Sequence, residues 1–211
     1  MMYWPKNISL ACILSVTMLT GCTGKSEPTS FFMLRSIDEI SDTITGEVIV
    51  GSDISVMVGP VTISNYLDRS QIIGRQEGVE VLVHDFDHWA EPLDKNVARV
   101  LMANLSTLLG TAKVYDFENS ISAHPKFRVQ VEIGRFDFSA NGTAVFVAYW
   151  TIYDANGTPL SRNKTVMTED VTGRGMASRV AAQNRVVTDF SRVVARKLAE
   201  LNIVTLAQIL G

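Results

Sequence analysis

His84-Asp85-Phe86-Asp87-His88 is the densest run of metal-ligating side chains in this sequence. The chemistry it could do depends on the backbone beneath it. On a helix, the two histidines would share a face and could hold a metal ion. The run continues a stretch with Val79, Val81 and Val83 at every second position, so it reads as a strand. At ~3.3 Å per residue the histidines then stand ~13 Å apart, and no metal site is expected. His124, before Pro125, reads as a loop residue. Other routes to catalysis close as well. There is no Gly-x-Ser-x-Gly elbow to present a serine nucleophile. Gly173-Arg174-Gly175 precedes a helical pattern but lacks the further glycines and the lysine of a phosphate loop, so it reads as a turn. Carboxylates are scattered without a paired acid and base. The expectation is a protein that is not an enzyme and needs no cofactor or metal.

Cysteine is the remaining reactive side chain, and the chain has two. Cys12 lies inside the apolar run Ile8 to Leu19, and Cys22 closes Leu19-Thr20-Gly21-Cys22, with Lys6 as the single charge ahead of them. This order resembles a bacterial lipoprotein signal peptide and its lipobox. The apolar run is about a dozen residues, short of the roughly 20 that a spanning helix needs. The resemblance implies that residues 1–21 are removed as a signal peptide and that Cys22 becomes the lipid-bearing first residue, with palmitate among its acyl chains. Residues 22–30 are then a lipidated linker, and 31–211 a single periplasmic domain. A single acyl chain anchors only marginally, so lasting attachment takes about two signals or more. The lipidated cysteine of bacterial lipoproteins carries more than one chain. Thr23 stands where inner-membrane retention uses Asp, which implies the outer membrane, facing the periplasm. With Cys12 gone, no intramolecular disulfide and no cysteine metal site can form.

The 211 residues are 46% hydrophobic, enough for one domain with a substantial core, and the formal net charge is −3. Removing Lys6 with the signal makes the mature chain more acidic still. Nucleic-acid binding, which calls for a basic stripe, is not expected.

The elements follow from periodicity. Phe31-Phe32-Met33-Leu34 reads as the first strand, and residues 36–52, with Gly46 and Gly51, as a loop or weak hairpin. Ile54, Val56 and Val58 alternate up to Gly59-Pro60, which is expected to end a second strand. Residues 61–75 are less regular, and Val79 to His84 give a third strand. Glu91-Pro92-Leu93-Asp94 opens a helix whose stripe is Leu93, Val97, Val100, Leu101, Leu105 and Leu108, ending at Gly110. Phe127, Val129, Val131 and Ile133 alternate with polar residues. Asn141-Gly142 and Asn156-Gly157 then separate two more alternating runs, so a three-stranded antiparallel meander is expected. Its middle strand is apolar on both faces, so both are expected to be covered. A last helix, Met176 to Leu201, carries Val180, Val187, Phe190, Val194, Leu198 and Leu201, followed by an apolar tail that packs back or stays exposed. The fold class is α+β: a mixed, mostly antiparallel sheet packed with two long helices.

The irregular block from Gly59 to Leu93 leaves two readings open. Tyr66 and Trp89 fill core while Asp68 pairs with Arg69 or Arg75, or the block forms a contact surface. Val58-Gly59-Pro60-Val61, Tyr66-Leu67-Asp68-Arg69-Ser70-Gln71-Ile72, Arg75 and Trp89-Ala90-Glu91-Pro92-Leu93, in this order, resemble the PqiC-type (paraquat-inducible protein C, YmbA-like) lipoproteins. These are also described as ABC-type transport auxiliary lipoproteins. The resemblance covers nearly the whole mature chain, with Phe where tyrosines are common in the opening strand. It implies a non-catalytic, outer-membrane subunit of a trans-envelope MCE-type lipid transport system that supports membrane integrity. The implied partners are a periplasm-spanning, PqiB-like MCE protein and, indirectly, a PqiA-like inner-membrane protein. Phospholipid is a candidate cargo and a second copy of the chain a candidate partner. Tyr66, Leu67, Asp68, Arg69, Arg75 and Trp89 are the candidate partner or self-association surface. The alternatives are a periplasmic lipid-binding carrier and an auxiliary subunit of an ATP-driven MCE/ABC transporter.

Overall fold

Two Asn-Gly turns fold residues 127–170 into the platform on which the rest of the chain is laid. The computed structural model describes residues 28–40, 54–76, 79–120 and 123–210, with side chains as far as Thr205. The signal segment, Cys22 and most of the expected loop or hairpin over 36–52 lie outside the described residues. In chain order the elements are β1 (Ser30–Phe32), α1 (Ile37–Ile40), β2 (Val56–Ile63), a 3-10 turn (Asn65–Leu67), β3 (Gln71–Arg75) and β4 (Val81–Trp89). They continue with α2 (Leu93–Leu109), β5 (Val114–Asp116), β6 (Phe127–Phe138), β7 (Thr143–Asp154), β8 (Pro159–Asp170) and α3 (Gly175–Leu210). The fold is α+β: the described residues form eight strands in one mixed sheet and three helices, two of them long.

The antiparallel meander β6–β7–β8 holds the longest ladders, while β2, β3 and β5 join by shorter parallel ones. Gly142 and Gly157 turn its corners at φ +82°, a region closed to most side chains. Asp154 Oδ1 accepts the N–H groups of Asn156 at 2.9 Å and Thr158 at 2.7 Å, closing the second turn. Phe127, Val129, Val131 and Ile133 are buried, as their alternation requires. A bulge between Ile133 and Arg135 then shifts the phase, so that Phe136 and Phe138 point inward and Asp137 outward.

Both long helices pack on each other and against the inner face of this sheet. The core runs through an aromatic chain in which ring centroids lie 5.0–6.0 Å apart, from Trp89 through Phe136, Phe146 and Phe190 to Trp150. Two buried amides tie the layers. Asn104 Oδ1 accepts the Ile37 N–H at 2.8 Å, and its Nδ2 donates to Ser191 Oγ at 3.0 Å, joining α1, α2 and α3. Asn184 accepts the Arg35 N–H at 2.6 Å and donates to the Arg35 carbonyl at 3.0 Å, so α3 holds the chain as it leaves β1.

Several expectations are corrected. Gly59-Pro60 does not end β2. Gly59 takes φ +124°, its peptide bond to Pro60 is cis, and the ladder to β6 resumes at Val61 after a one-residue bulge. The proline's missing N–H falls at the bulge, where the ladder does not need it. Residues 61–75 hold the end of β2, the 3-10 turn and β3, so they are more regular than their pattern indicates. Ile37–Ile40 is helical rather than loop, and β5 is a strand too short for periodicity to reveal. The tail after Leu201 continues α3 to Leu210, because no glycine or proline interrupts it before Gly211. The outer face of β7 is not covered by a helix among the described residues: Tyr149 and, across from Val147, Val166 are exposed. Antiparallel sheets tolerate one solvated face, and Lys164 lies over the Tyr149 ring there, 5.5 Å from its centroid.

Candidate docking surface

The irregular block divides into a buried ionic hub and an exposed cleft. β2 and β3 lie end to end along the same edge of β6, and the chain between them bends through the 3-10 turn. That bend drops Tyr66 onto the β6 bulge. Its hydroxyl lies 3.0 Å from Asp137 Oδ2 and 3.3 Å from the Gly134 carbonyl oxygen. Arg75 donates its Nε to Asp137 Oδ2 at 2.9 Å, and Arg135 donates Nη2 to Oδ1 at 2.6 Å. The Arg75 guanidinium also stands 5.2 Å from the Tyr66 ring centroid. The Asp137 side chain is fully buried although it faces away from the aromatic core.

Burial pushes the Tyr66 hydroxyl above its ordinary value, and the neighbouring Asp137 adds to the rise against the opposing hydrogen bond from Arg75. Hydrogen bonds to Tyr66 and then Asp137 raise Arg75 further. The phenol therefore stays a neutral donor and the guanidinium a fixed cation. A carboxylate clamped by two arginines and a phenol is a joint between strands.

The six candidate surface residues thus separate. Tyr66 and Arg75 come together, on Asp137. Leu67 and Trp89 are buried, Trp89 against Phe136. Asp68 and Arg69 are exposed, and neither Arg69 nor Arg75 pairs with Asp68 among the described residues. Asp137 was not among the candidates. A signal for it exists in Arg135-Phe136-Asp137-Phe138, a single acid between two aromatics at the end of an apolar strand.

Asp68 and Arg69 line an open cleft of about 300 Å3 whose opposite wall is the run Trp89 to Leu93. The Trp89 N–H donates to the Ser70 carbonyl at 2.7 Å, which holds the two walls together. Glu91 is shared with a second open cleft, of about 290 Å3, bordered by Val58, Gly59, Pro60, Val61 and Phe117. Glu91 accepts from Arg99 Nε at 3.1 Å, and Arg99 Nη2 donates to the Leu34 carbonyl at 2.9 Å. A Cβ on Gly59 would stand 2.7 Å from the Phe117 Cβ, so glycine is what lets the loop after β5 close on β2. Three motif segments therefore border one surface around the start of α2.

His84 and His88 do not converge. His84 Nε2 lies 3.4 Å from Arg179 Nη1, and His88 Nε2 lies 2.9 Å from the Asp85 carbonyl oxygen. Among the described residues no group of three His, Cys, Asp or Glu side chains could hold a metal ion, and no helix is long and apolar enough to cross a membrane.

The mixed sheet with two long helices packed against it defines the class as an α+β domain. The chain belongs to the family described as the ABC-type transport auxiliary lipoprotein component, which it matches over residues 44–195. No curated protein matches it. Among solved structures it is similar to an uncharacterized protein at 17% identity and TM-score 0.67, covering 82% of this chain and 99% of that one. It is also similar to protein XCC0632 from Xanthomonas campestris, of the DUF330 family, at 13% identity and TM-score 0.65, covering 85% and 98%. At these identities the structural likeness speaks for the fold.

Proposed function

We propose that this chain is an outer-membrane-anchored, non-catalytic subunit of a trans-envelope MCE-type lipid transport system. Acylated at Cys22, the domain holds the far end of a periplasm-spanning MCE protein against the outer membrane, so that lipid passes without crossing bulk water. Membership of a transport auxiliary lipoprotein family carries this reading. The surface around Glu91, where the motif segments meet, is its docking site, with Asp68 and Arg69 as the exposed charges. Binding of an Arg69→Glu variant to the MCE protein is the test. Arg69 is exposed, so the variant folds, and binding is expected to fall about tenfold or more, equivalent to at least ~1.4 kcal/mol. Undiminished binding by the folded variant would exclude this surface as an essential contact.

The family description favours a second reading of the partner system, as an ATP-driven transporter rather than a PqiA-like one. The gene neighbours decide between them: an ATPase and permease beside the MCE gene, or a PqiA-like membrane protein. A lipid-carrier role has less support, because the clefts at the docking surface are open and small for a whole phospholipid. Stoichiometric lipid co-purifying with the domain would restore it.

A further inference from the structure

β1 is three residues long and lies at an edge of the sheet, parallel to the last residues of β4. The inward residues here are satisfied: Phe32 packs on the core and Leu34, just past the strand, is fully buried. The outward residues are not, for Phe31 is 66% exposed and Met33, just past the strand, 48% exposed. β4 adds to this surface. Between the pairs Gln71–His88 and Ile72–His84 the ladder skips three residues of β4, and the resulting bulge, Asp85-Phe86-Asp87, leaves Phe86 47% exposed. Phe31 meets the ring of His88 edge-on at 5.8 Å, which places it beside this bulge. The chain thus presents two phenylalanines and a methionine to water at one edge.

We propose that Phe31, Met33 and Phe86 form a membrane-contact patch that settles into the headgroup–acyl boundary of a zwitterionic bilayer. The inference rests on acylation at Cys22, as proposed above. Ser30 stands eight positions after Cys22, so the start of β1 is tethered within ~29 Å of the acyl chains even if that segment is fully extended. At so short a distance a weak apolar contact becomes an intramolecular one, with an effective concentration on the order of millimolar. Apolar side chains sinking ~5–10 Å into the interface are then a second anchoring signal beside the lipid. Asp85 and Asp87 flank Phe86 and disfavour an anionic surface, which selects zwitterionic lipid. The consequence is an orientation: the β1–β4 edge faces the bilayer, and the open face of the meander, where Val166 lies close to Lys164 on the same strand face, does not.

Acylated full-length mature protein in phosphatidylcholine vesicles provides the test. Acylation occupies the Cys22 sulfur, so Phe86→Cys, Phe31→Cys and Val166→Cys each offer a single thiol for a nitroxide label. Collision with oxygen, which concentrates in lipid, and with a water-soluble nickel chelate is then read by spin resonance. At 86 and 31 oxygen is expected to exceed nickel severalfold, and at 166 the reverse. With the protein still floating with the vesicles, nickel-dominated labels at both 86 and 31 would overturn the patch. So would labels shielded from both reagents, the mark of a protein contact. Loss of flotation itself would overturn the anchoring reading, and the patch with it.

Discussion

Arg75 donates its Nε to Asp137 at 2.9 Å across a separation of 62 residues, and the bond joins the end of β3 to the end of β6. Tyr66, in the 3-10 turn between β2 and β3, lies on the same carboxylate. The hub therefore lies beneath the proposed docking surface, at the bend that presents Asp68 and Arg69. Removing Asp137 leaves Arg75, Arg135 and Tyr66 without their common acceptor. Asp137→Ala is expected to cost about 3 kcal/mol, the lower end for a broken buried ion pair because both guanidiniums keep water contact. Tyr66→Phe is expected to cost about 0.5–1.5 kcal/mol. Urea unfolding measures both, and equal small losses would show that the hub is not a joint.

Gly59 and Gly142 both take positive φ, but only Gly59 is also crowded. Alanine at 142 meets nothing within 4 Å and bears the backbone penalty alone, about 1–2 kcal/mol. Alanine at 59 adds the 2.7 Å approach to Phe117, so Gly59→Ala is expected to lower the melting temperature clearly more than Gly142→Ala. The same variant should weaken MCE binding if the cleft beside Glu91 is used.

Burial, and then the Arg179 guanidinium, hold the His84 imidazole below its ordinary value, against the opposing pull of Asp87 and Asp85. The sign follows. A pKa depressed in the folded state means that the unfolded chain binds the proton more readily, so the contribution is whole above the ordinary value of about 6.5 and declines as pH falls below it. Stability is expected to drop between pH 7 and 5, with a smaller drop in His84→Gln. An identical pH profile in the variant would remove His84 from the account.

Asn104 is buried and bonded on both sides, to Ile37 and to Ser191. Asn104→Leu leaves the Ile37 N–H without its acceptor and Ser191 without a donor, so a loss of about 1–3 kcal/mol is expected. Hydrogen exchange at Ile37 is the discriminating readout. Its amide should exchange faster in the variant, whereas a volume effect alone would leave its protection intact.

Periodicity made the meander and both long helices legible. Alternation in β6 and the Asn-Gly pairs define the hairpins through contacts between chain neighbours. The leucine stripe of α2, closed by Gly110 in the left-handed conformation, is equally local. β3 and β5 escaped because five and three residues are too few to show a period. Gly59-Pro60 misled because a bulge absorbs what a regular ladder would reject.

The sequence by itself determined the family, through the motif residues from Val58 to Leu93. Only the tertiary structure decided what each side chain does there. Leu67 and Trp89 turned inward, Tyr66 and Arg75 bent down onto Asp137, and Asp68 and Arg69 were left at the rim. The reason is range. A residue's pattern reports its neighbours along the chain, whereas these roles depend on partners 62 to 71 positions away, set by where β6 shifts its phase and how β2 and β3 share its edge.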